Sequence, residues 1–496
     1  MRDLRPVEGR LPERLRQYQT PGGDGTAADR LLIHASDRGR ERLSAIAPVS
    51  DCDFEALLGS ADPALAAAPP SIFVVGVSGG ADSMALCLLL ARWCRAHGHR
   101  LVAATVDHAL RPDSAAEAGQ VSRWLGARGI EHEILTWHGG KPATGLQAAA
   151  RSVRFRLLTG RATALGARGL FLAHHMQDQA ETMVMRLARG SGADGLAGIR
   201  PRQMRGTIPV LRPLLPVPPA RLRAQCLVEA QAWIEDPSNR DRRFERVRVR
   251  QQADRLADAG LDAGTLGRLG RAFGRLRDWS ETRLVSFLLG AGNLDPRGFA
   301  ALRLSAVREM PLPLRGKLMS GLLQSIGGLD YPPRADGLDR FLAWLDGGRG
   351  NRTTLGGCLV WRGSGDTLWI ARETQRGTGV ELLRGPVEKR WDGRFDVEWS
   401  GTQPVWIHML TGKGERRLAL SGAARKPSVV LPIGVRTSLP ALTDLDGRLF
   451  APHLSEAWTS QRPLEADLFR IEFRPAVPWV AEAFRVSRDD RAATND

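Results

Sequence analysis

The stretch Ile72–Ser83, IFVVGVSGGADS, constrains this chain most. Its opening run, 72–77, is continuously apolar, as a strand buried on both faces should be. Gly79 and Gly80 then allow the backbone to curl, and the apolar stretch Met84–Ala96, closed by Gly98, reads as a buried helix with a C-terminal glycine. A glycine-rich turn between such a strand and such a helix brings backbone N–H groups together where the helix N-terminus favours negative charge. Ser83 is placed to cap that helix. No G-K-[ST] follows and the turn itself is not a G-x-G-x-x-G, so it is neither of those two phosphate loops. It predicts an anion site of another design, made by Ser78, Gly79, Gly80, Ala81, Asp82 and Ser83.

The same alternation continues. Residues 101–106 and 132–137 and the segment GLFLA at 169–173 read as further strands. Ser114 and Glu117 form a capping-box pattern for a helix running to about Arg128, and residues 145–166 read as a long helix. Strands alternating with helices predict an α/β fold, a doubly wound parallel sheet with helices on both faces. Ahead of it, residues 1–45 lack periodicity and are expected to be a mobile extension. A helix is expected at 48–59, capped by Ser50 or Asp51, followed by a low-complexity linker at 61–70. From about 251 the pattern is helical, with one or two amphipathic helices over 265–290, and from about 351 it reads as short strands with glycine turns. The predicted organisation is an N-terminal extension and linker, partly disordered, over 1–70, the α/β domain over 71–255, a helical domain over 256–348 and a β-rich domain over 349–496.

A chain of 496 residues with 43% hydrophobic content can bury several cores. Its net charge of +16, from 70 basic and 54 acidic residues, favours a polyanionic partner. Arginine is dense over 200–250, where Arg242, Arg243, Arg246, Arg248 and Arg250 are close enough to make one phosphate-binding ridge. The five cysteines, at 52, 87, 94, 226 and 358, include no C-x-x-C pair, which predicts buried thiols in a reducing compartment. No apolar run reaches membrane-spanning length and the N-terminus has no apolar signal core, so a cytoplasmic protein with no membrane partner is expected.

A second constellation, His174-His175-Met176-Gln177-Asp178-Gln179-Ala180-Glu181-Thr182, leaves the predicted strand 169–173. Ligands of doubly wound sheets bind at the carboxyl ends of strands, where this segment and the glycine turn both lie. With a helix starting near Gln177, Asp178 and Glu181 share one face. Zinc is disfavoured, because H-H-x-x-D lacks the histidine spacing of H-E-x-x-H.

S-G-G-x-D-S after a strand resembles the PP-loop of the ATP pyrophosphatases, which implies that Ser78–Ser83 hold the leaving pyrophosphate of ATP. A carboxylate beside polyphosphate needs a bridging cation, which makes Asp82, and with it Asp178, a magnesium candidate. The chain further resembles the tRNA(Ile)-lysidine synthetases. The likeness rests on HHMQDQAET, RLARGSGADGLAGI at 186–199, VDHALRP at 106–112, AARSVRFRLL at 149–158, RPLLPV at 212–217 and WIEDPSNRDRRFERVRVR at 233–250. It implies ligation of L-lysine to C2 of the wobble cytidine of tRNA(Ile) with a CAU anticodon, through an adenylated tRNA, with Asp82 and Asp178 catalytic. His108, Arg111 and His175 are implied near nucleotide or base. Arg151, Arg154 and the five arginines from Arg242 to Arg250 are implied on tRNA. A homodimer is left open. Gln177 stands where the family usually has an acid, and Val247 where it tends to have Asn. A sulfur-inserting PP-loop enzyme would rely on cysteine pairs, which are absent. A non-catalytic tRNA binder with a dead loop is argued against by the intact Asp82, Asp178 and Glu181.

Overall fold

The computed structural model describes residues 43, 45–142, 144–235, 243, 245–374, 379–412, 414, 431–454 and 469–475. The predicted extension, 1–45, lies almost wholly outside the described residues. Two compact units divide between Arg277 and Asp278.

The first unit is built on a six-stranded sheet of β1 (Ile72–Gly76), β2 (Arg100–Asp107), β3 (Glu131–Thr136), β4 (Gly169–Phe171), β5 (Arg202–Arg205) and β6 (Ile208–Leu211), in the order β3-β2-β1-β4-β6-β5. All pairings are parallel except that of the edge strand β5 with β6. The side chains of β1 show why a continuous apolar run was needed. Phe73 and Val75 enter one core, with α1 (Asp51–Ala61), α2 (Ala81–Ala96), α3 (Ser114–Gly126) and α7 (Pro219–Val228). Val74 enters the other, with Leu158 and Ala162 of α4 (Leu146–Ala164). Two covered faces make the sheet doubly wound, as the alternation predicts.

Local signals decide most of the ends. The Ser50 hydroxyl accepts from the Asp53 N–H at 3.0 Å and caps α1, and Gly98 takes φ +70 just past α2. Phe54, Leu58 and Leu65 of the stretch read as extension and linker are buried in the first core. The predicted capping box at Ser114 does not form. Asp113 is the N-cap with no side-chain bond, and Glu117 instead accepts from Arg111 at 3.0 Å. Of the cysteines, Cys52 is exposed, and the other four are free and buried. Burial pushes the Cys87, Cys94, Cys226 and Cys358 thiols up to about 12.

Further along, α5 (Met176–Ala188), α6 (Ala193–Leu196), α8 (Glu245–Arg250), α9 (Ala253–Asp258) and α10 (Ala263–Ala291) follow. The stretch 265–290 is thus part of one helix. Its glycines are contact points: a Cβ on Gly267 would meet Met176 at 3.9 Å, and one on Gly270 would meet Gln179 at 3.6 Å. They let α10 lie close to α5, with Leu266 packed on Ala180 and Met183.

In the second unit, the strands β7 (Gly292–Asp295) and β8 (Phe299–Arg303) fall within the stretch read as helical. They join β9 (Arg352–Leu355), β10 (Cys358–Arg362) and β11 (Thr367–Arg372) in a sheet ordered β7-β8-β11-β10-β9, so the sheet crosses the expected boundary at 348. Leu318, Leu322, Phe341 and Leu345 of the helices Leu312–Gly327 and Ala335–Gly347 pack on Val360, Leu368 and Ile370. Four-stranded and three-stranded sheets complete the unit. Among the described residues, no helix is long and apolar enough to cross a membrane.

One buried histidine makes this unit acid-sensitive. His453 lies 5.8 Å from Phe395, ring to ring, and its Nδ1 has no partner. Burial, with Arg297 and Arg394 nearby and despite Asp295, holds its pKa down to about 4. The folded value is below the unfolded one, so stability is complete above about 6.5, the free histidine value, and is lost as pH falls towards 4. The expected result is a melting midpoint that drops between pH 7 and pH 4.5 by less in His453→Asn than in the parent.

Candidate functional site

The glycine turn leaves the end of β1, whose direction is continued by the Val77 N–H bonding Ala104 O at 2.9 Å. Gly79 takes φ +84, a conformation that side chains resist, and a Cβ there would stand 3.0 Å from both Ile234 and Val121. Its carbonyl accepts from the Ile234 N–H at 2.9 Å, which fixes the turn against the loop at 231–235. Gly80, not Ser83, is the N-cap of α2, and it makes no side-chain cap bond. Ser83 folds back instead: its hydroxyl donates to Gly80 O at 2.9 Å and accepts from the Ser78 N–H at 3.1 Å. The predicted cap is therefore a brace across the loop. The opening turn of α2 keeps its amides without a side-chain cap, with the positive end of a 16-residue helix behind them.

Gly79→Ala is expected to cost about 1–3 kcal/mol in stability, the scale of one enforced strained residue, and to raise the KM for ATP roughly tenfold. Thermal melts and ATP titration of the variant check both.

The second constellation meets the turn. Leu172 follows β4, and α5 begins at Met176 with His175 as its N-cap. The His175 Nδ1 accepts from the Gln177 N–H at 3.2 Å, and the Asp178 Oδ2 accepts from the His175 N–H at 3.0 Å, a reciprocal cap. This leaves His175 Nε2 facing two carboxylates, Asp82 Oδ2 at 3.4 Å and Asp178 Oδ2 at 3.6 Å. Burial would lower the His175 pKa, but the Asp82 hydrogen bond and the charges of Asp178, Asp82 and Glu181 outweigh it and hold it above its usual value. Asp82, Asp178 and His175 are thus brought together at the carboxyl ends of β1 and β4. Among the described residues, no group of three or more His, Cys, Asp or Glu is arranged to hold a metal. Two carboxylates beside a phosphate site do suit magnesium, which takes its remaining oxygens from phosphate and water.

His174 was not singled out from the sequence. Its Nδ1 is buried without a partner, and burial, together with Arg212, Arg154 and Arg151 and against Asp178, pushes its pKa down to about 3. His108 stands edge-on to Trp137 at 6.1 Å, and burial lowers its pKa. Arg111 is on the surface in its pair with Glu117.

The predicted arginine ridge divides. Arg242 lies outside the described residues. Arg246 and Arg250, one turn apart on α8, turn towards α5: Arg246 donates to the Thr182 hydroxyl at 3.3 Å and stands 4.0 Å from Asp178, and Arg250 donates to Glu181 at 2.7 Å. Arg248 and Arg243 are exposed, joined through Arg248 and the Arg243 carbonyl at 2.9 Å. Val247, where a polar residue would be usual for the resemblance, is buried.

Glu181 is a further residue that the sequence reading assigned no role. Its side chain is fully buried, Oε1 pairs with Arg250, and Oε2 has no partner. It lines a small cleft with Gln177, whose remaining wall is apolar, including Val184, Val249, Leu256 and Leu261. A buried carboxylate oxygen with no donor, beside an apolar wall, leaves Glu181 with an unmet need for a cation or hydrogen-bond donor. Only the spacing of Asp178 and Glu181 hinted at this, because the cleft's other walls come from helices some 70 residues on.

A family model described as a PP-loop domain matches residues 56–255. A tRNA(Ile)-lysidine synthase of Ruegeria pomeroyi is 39% identical over 337 residues, 66% of this chain and 77% of that protein. Another, of Bradyrhizobium diazoefficiens, is 46% identical over 64% of this chain and 88% of that protein. A third, of Methylobacterium nodulans, is 39% identical over 62% of this chain and 91% of that protein.

Proposed function

Because this chain belongs to the tRNA(Ile)-lysidine synthases, ligases built on the ATP-using PP-loop fold, we propose that it joins L-lysine to C2 of the wobble cytidine of a CAU-anticodon tRNA(Ile) in the cytoplasm. The observation that carries the reading is the meeting of the glycine turn with Asp82, His175 and Asp178 at adjoining strand ends.

The reaction follows in two steps. The C2 oxygen attacks the α-phosphorus of ATP, an O–P bond forms, the bond from the α-phosphorus to the bridging oxygen breaks, and pyrophosphate leaves into the loop Ser78–Ser83. The ε-amine then attacks C2, a C–N bond forms, the C–O bond breaks with AMP as leaving group, and the amine loses its protons. A pyrimidine oxygen leaves poorly by itself and well as AMP, so positioning and charge neutralisation carry most of the catalysis. Asp82 and Asp178 would hold magnesium, which would neutralise phosphate charge. His175 keeps both carboxylates in place through its cap and its Nε2. His108 and Arg111 are assigned to nucleotide or base, and Arg151, Arg154, Arg242, Arg243, Arg246, Arg248 and Arg250 to tRNA. Arg246 and Arg250 would do this from beside Asp178 and Glu181. Glu181 is assigned to lysine, whose ammonium would pair with the carboxylate oxygen that has no donor.

The test is mass spectrometry of anticodon nucleosides after incubation with ATP, lysine and tRNA(Ile). Lysidine at the wobble position is expected. Unmodified cytidine, or a sulfur-containing product, overturns the reading.

A further inference from the structure

We propose that Arg151, Arg154, Arg205 and Arg212 form a funnel that binds one phosphodiester of the RNA substrate. This deepens the tRNA reading and rests on it.

The guanidinium carbons of Arg151, Arg154 and Arg205 stand 5.4, 5.8 and 5.2 Å from the centre of the Phe155 ring. Among the described residues, these arginines have no carboxylate in an ion pair. That is a local choice, since Arg161 on the same helix pairs with Glu133 at 2.5 Å. Arg151 and Arg205 are exposed, Arg154 is half-buried, and Arg212 is only 3% exposed. Nε of Arg154 and Nε of Arg212 are buried with no acceptor, although Arg212 donates once to Arg200 O at 2.9 Å. Gathering desolvated cations without an anion is costly. Burial, and then mutual repulsion, pushes the pKa of both Arg154 and Arg212 down to about 10.

An anion that brings several acceptor oxygens relieves all of this, and phosphate matches arginine forks. Phosphate could come from ATP or from RNA. The loop Ser78–Ser83 is assigned to the nucleotide, whereas the exposed Arg151 and Arg205 suit a polymer backbone passing across them. A phosphate contact of this kind sets register without reading sequence.

The test uses the whole chain with Arg205→Gln and Arg205→Lys, chosen because Arg205 is exposed and should fold in either form; thermal melts check this. Binding to tRNA(Ile) is measured across a salt series, and ATP binding separately. Arg205→Gln is expected to weaken tRNA about tenfold and to lower the slope of log affinity against log salt by about 1. Its ATP affinity should stay within about twofold of the parent. Arg205→Lys keeps the charge and should keep the parent slope. Weaker ATP with unchanged tRNA would assign the funnel to the nucleotide and overturn the proposal, as would no change in either. If the parent binds tRNA with a slope that Arg205→Gln lowers but makes no lysidine, the funnel stands and the modification reading falls. A parent that binds no RNA overturns both.

Discussion

Asp178→Asn should slow pyrophosphate release with saturating tRNA by ~10²–10³-fold, the scale of losing one preorganised electrostatic group, while the melting midpoint hardly moves. The structure makes this substitution cleaner than it looks from sequence. Asp178 does two jobs: its Oδ2 accepts from the His175 N–H, and its charge faces His175 Nε2 and Arg246. The Asn carbonyl oxygen can still accept the cap bond, so α5 keeps its start. What is removed is the anion. Gln177 cannot replace it, because it is neutral and its N–H is spent on His175 Nδ1. If Asp178→Asn melts like the parent and releases pyrophosphate near the parent rate, Asp178 holds no metal and supplies no needed charge. A variant that melts far lower would instead show that the cap, not the charge, was the role.

How far the molecule could be read beforehand depended on how local each signal is. Strand β1, the glycine turn and α2 were legible because burial on both faces and a left-handed glycine leave their marks within a dozen residues. The same local reasoning misassigned two caps. Ser83 sits at the third position of α2, so its hydroxyl reaches back to Gly80 O and the Ser78 N–H and braces the turn. Glu117 accepts from Arg111 instead of reaching back to a cap. The arginine ridge was read as one face because five arginines crowd nine positions. Only the phase of α8 separates Arg246 and Arg250 from Arg248. Strands β7 and β8 left no trace in the sequence pattern, since β8 is held by pairing with Thr367–Arg372, far along the chain. The funnel around Phe155 and the Glu181 cleft were hidden for the same reason: what identifies them is an unpaired group, and pairing is a property of the fold.

Glu181→Gln is the sharper test of the amine site, with an expected rise of ~10²-fold or more in the KM for lysine, the scale of truncating a buried charged contact. Glu181 Oε1 is already committed to Arg250, so a second role must fall to Oε2, which is buried and unpaired. A carboxylate oxygen left without a donor in an apolar setting is expensive, and the ammonium of a bound lysine would satisfy it. Gln retains an oxygen for Arg250 but offers no charge to an incoming cation. The midpoint of thermal unfolding should fall, since Arg250 loses its counter-charge, and this loss must be separated from the effect on lysine. Pyrophosphate release in the absence of lysine does that. It reports on ATP and tRNA alone and should remain near the parent rate, while AMP release at low lysine collapses and recovers at high lysine. A parent-like KM for lysine in a folded Glu181→Gln variant would remove Glu181 from the amine site. Equal losses in both steps would make it a structural partner of Arg250 and nothing more.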